Sequence, residues 1–172
     1  MDRQIAVLGL PVCAWIVWDF SHDRNVPYKF SWSSALRQKG DTGTYLQFTH
    51  ARLCSLERIA NADGLHLLQD DPRNFSGVLP AGSLNDPLAH ALIEVLSELE
   101  LAVQDAYRTL DAKPLTQFAF KLARKANAAH RTLRVKDQPR EIALPRLLLF
   151  GTARRVLGQI LSLLGAEPLE EV

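Results

Sequence analysis

Apolar positions along the chain recur at helical spacing from residue 44 onward, after an apolar block that lies before residue 21. Between Thr44 and about Ala62, Leu46, Thr49, Leu53, Leu56 and Ala60 recur at intervals of three and four, which predicts an amphipathic helix with one buried stripe. Asp41 and Thr42 stand ahead of it as N-caps. Pro87 to Leu110 predicts a second helix, with Leu88, Leu92, Val95, Leu96, Leu99, Ala102, Val103 and Ala106 on its apolar side and Asp86 as cap. A third helix is expected from Pro114 to about Leu133, with Leu115, Phe118, Ala119, Leu122 and Ala126 inward. A fourth runs from about Ile142 to Leu164 and ends at Gly165. Asn61 to Leu84 is polar and rich in Gly, Pro and Asp, and reads as a long loop.

The first block has another texture. Cys13 to Phe20 is β-branched and aromatic, which predicts a buried strand. Ile5 to Phe20 is shorter than the ~20 residues a membrane span needs, and Pro11 interrupts it. A secretory leader is the alternative reading. The block begins abruptly, as the last strand of a larger domain would. Ser21 to Pro27 is a connector, Tyr28 to Trp32 a short extended segment, and Ser33 to Gln38 one or two helical turns. The expected fold class is therefore all-α, a helical bundle preceded by a strand remnant. The division falls between residues 1–32, tail and connector, and residues 33–172, the helical domain.

Composition changes this picture little. With 172 residues and 47% hydrophobic content the chain can bury one real core. The net charge of +1 hides an asymmetry. Lys121, Arg124, Lys125, Arg131, Arg134, Lys136 and Arg140 face only Asp137 in their stretch, whereas acids concentrate between Glu57 and Asp111. Such a basic stretch either holds a phosphate backbone or is a solvated surface attracted to the acidic helices. Cys13 and Cys54 are too few for a disulfide framework and fit a reducing compartment. His66, His90 and His130 have no metal-ligand spacing. His50, without a nucleophile or carboxylate beside it in the sequence, reads as structural.

The segment Gly40-Asp41-Thr42-Gly43-Thr44-Tyr45-Leu46-Gln47-Phe48-Thr49-His50-Ala51-Arg52 resembles the signature G-D-T-G-P-Y-L-Q-Y-x-H-A-R that opens the anticodon-binding domain of arginine–tRNA ligases. Tyr28-Lys29-Phe30-Ser31-Trp32 is similar to the Y-x-F-D-W stretch preceding it. Pro145-Arg146-Leu147 and Arg154 to Gly165 resemble the last helix of that family. Ala129 to Asp137 is similar to A-H-K-T-L-Q-I-K-D of the mitochondrial branch. Two places depart from the pattern: Ala128 and Ala129 stand where relatives carry an aromatic F-Y pair, and Glu170-Glu171-Val172 stands where many end in R-M.

The resemblance implies a tRNA(Arg)-binding surface made from Tyr45, Gln47, Phe48 and Arg52, with His130, Arg131, Arg134 and Arg146 in support. The residues allow it. At about 100° per residue, Tyr45, Phe48 and Arg52 form one strip beside the apolar stripe, and aromatic faces next to a guanidinium can stack unpaired bases. The plain alternative is that both rings are core residues; beside the resemblance, Tyr45 is expected to be partly exposed and Phe48 to play a mixed part. Gly40 and Gly43 either admit a close approach to a phosphate-binding helix N-terminus or serve turn geometry alone. A stand-alone tRNA-binding adaptor and a helical protein-interaction module are the competing functions. The H-I-G-H-like and M-S-x-R/K motifs of the family's ATP site do not occur in the chain, nor does a G-x-x-x-x-G-K-[ST] loop. The chain alone is thus expected neither to activate arginine nor to hold a cofactor; ATP belongs to the whole family enzyme. Its expected partners are tRNA(Arg) and the catalytic domain of the same enzyme, with no membrane contact. A monomer is expected, in the mitochondrial matrix or alternatively the cytoplasm.

Overall fold

A computed structural model describes residues 3–65 and 84–172, the side chains from residue 9 onward. Most of the loop expected between Asn61 and Leu84 lies outside the described residues. Six long helices and one short one are found among those described: α1 (Arg3–Ser21), α2 (Trp32–Ala35), α3 (Gly43–Ala62), α4 (Pro87–Ser97), α5 (Leu99–Thr109), α6 (Lys113–Thr132) and α7 (Arg140–Leu163). No strand occurs among them.

The first apolar block is therefore a helix and the expected strand is corrected. The reason lies in which residues are buried. Cys13, Ala14 and Val17 are fully covered while Val12 and Trp15 are about half exposed, a helical repeat that the β-branched composition concealed. The helix runs through Pro11. Contact with α3 and α6 holds it. At the α1–α3 crossing Gly43 has no room for a side chain: a Cβ there would lie 2.4 Å from the carbonyl oxygen of Cys13. Gly43 is thus a packing glycine, whereas Gly40, at φ +93°, serves the turn. Burial pushes the Cys13 thiol up to about 11, so it acts as a small apolar residue.

The second expected helix is two. Glu98, at φ −82° and ψ −4°, breaks it between α4 and α5, one residue after Ser97, whose hydroxyl donates back to the Glu94 carbonyl (2.7 Å). The break lets both pieces lie on α6. No residue of α5 is buried, and Val103, expected inward, is 44% exposed. The other helices fall close to their expected bounds. Thr42 caps α3 by accepting from the Tyr45 amide (3.1 Å) and Asp86 caps α4.

Helix α6 is central and touches α1, α3, α4, α5 and α7. Its Leu122 and Ala126, with Leu46 and Leu53 of α3, Leu92 of α4, and Leu147, Phe150, Leu157 and Ile160 of α7, form the core. Gly165, at φ +84°, ends α7 and returns the chain toward α3. There Ala166 and Leu169 are buried, so the last residues belong to the fold.

Candidate nucleic-acid interface

Helix α3 has two working faces. On one, Gln47 and His50 fasten the C-terminal segment. Gln47 donates from Nε2 to the Glu167 carbonyl (2.7 Å) and accepts the Leu169 amide on Oε1 (2.8 Å). Nδ1 of His50 lies 2.9 Å from the Leu169 carbonyl, which makes that nitrogen the proton carrier. Burial pushes the His50 pKa below its ordinary 6.5. Arg58 continues the strap by pairing with Glu171 (2.6 Å). The structural expectation for His50 agrees with this placement. Gln47 is placed differently from its expected role as an RNA contact: it is 0% exposed and both ends of its amide are engaged. It reaches no ligand directly in this fold.

On the other face stand Tyr45 and Phe48, both half-buried, and Arg52, exposed. Phe48, Arg52, Arg58 and His130 line a groove of about 620 Å³ together with Glu170, Glu171 and Val172. The His130 ring packs edge-on against Phe150 at a centroid distance of 5.9 Å. Burial, and then the neighbouring Arg52 charge, hold its pKa below 6.5, which leaves the ring neutral at pH 7. It can offer a ring edge or a single hydrogen bond rather than a cation. Tyr45 is tied into the same group through Asn127, which bonds its hydroxyl (3.0 Å), the Thr49 hydroxyl (2.7 Å) and the Arg52 guanidinium. Asn127 went unnoticed in the sequence. Its one signal is position: an amide directly after the inward-facing Ala126, at the edge of the core face of α6.

The remaining expected residues are only partly gathered. Arg131 follows His130 at the end of α6 and is exposed. Arg134 and Arg146 are joined to each other, Arg146 Nη1 donating to the Arg134 carbonyl (2.7 Å), but neither lines the groove. Part of the basic stretch is engaged within the fold. Lys121 pairs with Glu98 (2.6 Å) and Arg124 with Asp41, binding basic α6 to acidic neighbours. Lys125, Arg131, Arg134, Lys136 and Arg140 are exposed without an ion pair among the described residues. Among those residues, too, no cluster of His, Cys, Asp or Glu is arranged to hold a metal, and no helix is long and apolar enough to cross a membrane.

Comparison with known proteins gives the family. The chain is 33% identical over 99% of its length to a probable cytoplasmic arginine–tRNA ligase of Dictyostelium discoideum, covering 27% of that protein. It is 32% identical over 94% of its length to the mitochondrial arginine–tRNA ligase of Saccharomyces cerevisiae, covering 24%. Relatives from both compartments match equally well, so identity does not separate the branches. The Thermus thermophilus arginyl-tRNA synthetase structure superposes on the whole chain with a TM-score of 0.80 at 27% identity, over 28% of its own length. The chain thus spans about a quarter of the relatives it matches. A family model, the DALR anticodon binding domain, matches residues 46–172, nearly everything from the first turn of α3 onward, and the chain belongs to that family.

Proposed function

We propose that this chain is the anticodon-binding region of an arginine–tRNA ligase and that its ligand is tRNA(Arg). The observation that carries the reading is the groove beside α3, where Phe48, Arg52 and His130 stand together and the half-exposed Tyr45 is linked to Arg52 through Asn127. Flat rings next to a fixed cation suit the unstacked bases of an anticodon loop, which are read in single-stranded form. Arg131 and Arg134, both exposed, and Arg146, bonded to the Arg134 carbonyl, supply further positive charge outside the groove for a phosphate backbone. Gln47 acts only through the tail it fastens. The ATP-dependent attachment of arginine, and ATP itself, belong to the catalytic domain of such an enzyme, with which this monomeric region works. The similarity of Ala129 to Asp137 to the mitochondrial pattern favours that branch and the mitochondrial matrix.

Titration of the chain with tRNA(Arg) across salt concentrations tests the reading. Tyr45→Ala is expected to lose roughly 1–3 kcal/mol of binding, the worth of one base–aromatic stack. Arg52→Ala should weaken binding and flatten its salt dependence. Loss confined to Arg52→Ala removes the stacking role of Tyr45. Absence of salt-dependent binding to tRNA(Arg) overturns the assignment.

A further inference from the structure

One amide on α6 reaches three side chains of α3. Asn127 Nδ2 lies 3.0 Å from the Tyr45 hydroxyl and 2.7 Å from Thr49 Oγ1, and Oδ1 accepts from Arg52 Nη1. Chemistry fixes which way the amide points. A guanidinium carries only donors, so the amide oxygen must face Arg52 and the NH2 must face the hydroxyls. Thr49 gives its own proton to the Tyr45 carbonyl (2.8 Å), which leaves its lone pair for Asn127. The Tyr45 hydroxyl, receiving a hydrogen bond from Asn127, keeps its proton for an outside acceptor. Arg52 retains most of its five donors. It makes no ion pair among the described residues. No aspartate could replace this arrangement, because a carboxylate cannot donate to the two hydroxyls.

We propose that Asn127 is a positioning residue that aims the Arg52 guanidinium and the Tyr45 hydroxyl proton together at one phosphodiester of a single-stranded loop. The inference rests on the tRNA-binding reading given above and names the residue that arms it. A charged planar fork and a neutral hydroxyl, held by one amide, suit the two non-bridging oxygens of a phosphodiester. The adjacent Phe48 ring takes the base attached to it.

A double-mutant cycle on the full chain, read as equilibrium binding of a tRNA(Arg) transcript, tests this. Arg52→Ala is expected to weaken binding roughly tenfold or more. Asn127→Ala should come close to that loss in the native background and cost under about twofold in the Arg52→Ala background, as expected when one residue acts through the other. Asn127→Asp, which keeps the shape, should hold Arg52 as an ion pair and lower the salt slope by about one phosphate contact. Thermal melts check that each variant is folded. Equal losses for Asn127→Ala in both backgrounds would mean a merely structural role and overturn the proposal. So would native affinity of both Asn127 variants alongside a weakened Arg52→Ala, with the RNA-binding reading left standing. Native affinity of Arg52→Ala would overturn this proposal with salt-dependent tRNA(Arg) binding still standing, whereas absence of that binding would overturn the reading and the proposal together.

Discussion

At the scale of single residues, the opening motif of α3 divides its labour by helix face. Tyr45, Phe48 and Arg52 share one side, and on a helix of about 100° per residue Gln47 falls nearly opposite Tyr45. That geometry was available in the sequence, yet the motif reads as a string and invites one role for all its members. Gln47→Ala is expected to destabilise the chain by about 2–4 kcal/mol, since it strands the buried Leu169 amide and the Glu167 carbonyl and leaves a cavity; chemical denaturation measures it. His50 makes a second prediction, in pH. Its folded pKa is depressed, so the folded state resists a proton that the unfolded state accepts. Stability from this group is complete above about 6.5 and declines as pH falls from there toward the lower folded value. Urea titrations at pH 7.5 and 5.5 should show the loss, and His50→Gln should shrink the difference between them. Asn127 was the residue least legible in advance. Its importance comes from what α3 places opposite it, and no local pattern on α6 encodes that.

At the scale of elements, the long periodic stretches of α3, α6 and α7 were legible because their apolar spacing is strong and their ends carry Thr42, Pro114 and Gly165. The two misreadings have separate causes. Cys13 to Phe20 has strand-like residue types, but tertiary contact with α3 and α6 decides in favour of a helix, and its small residues are what allow the close approach. The α4–α5 break carries no Gly or Pro and follows from two short helices both settling on α6. Gly43→Ala tests the first cause directly. A methyl at 2.4 Å from a backbone oxygen cannot be relieved by a rotamer change, so a loss of at least about 2–3 kcal/mol is expected. A thermal melt gives the size of the loss, and increased proteolysis within α1 would locate it. Gly40→Ala offers the contrast: nothing lies within 4 Å of a Cβ there, and only its positive φ is strained, which costs roughly 1 kcal/mol.

At the scale of the whole molecule, charge sets how the proposed RNA ligand would be met. The near-neutral total is the sum of an acidic set on α4 and α5 and a basic set at the end of α6, and two bridges from Lys121 and Arg124 hold basic helix to acidic neighbours. Charge reversal of exposed Lys125 and Arg131 to Glu should therefore weaken tRNA(Arg) binding and reduce its salt slope by roughly two contacts, with little change in stability; filter binding at several salt concentrations reads both quantities. The isolated chain is expected to give no ATP–pyrophosphate exchange with arginine, and measurable exchange would contradict the proposed division of labour. The strap at the end of the chain bears on all of this. With Leu169 bonded to Gln47 and His50 of α3, Glu170 and Glu171 are held in the lining of the groove that also contains Phe48, Arg52 and His130, and Arg58 pairs with Glu171. The proposed RNA loop would therefore meet carboxylates inside the trough as well as Arg52, so the strap that completes the fold also works against indiscriminate uptake of polyanions.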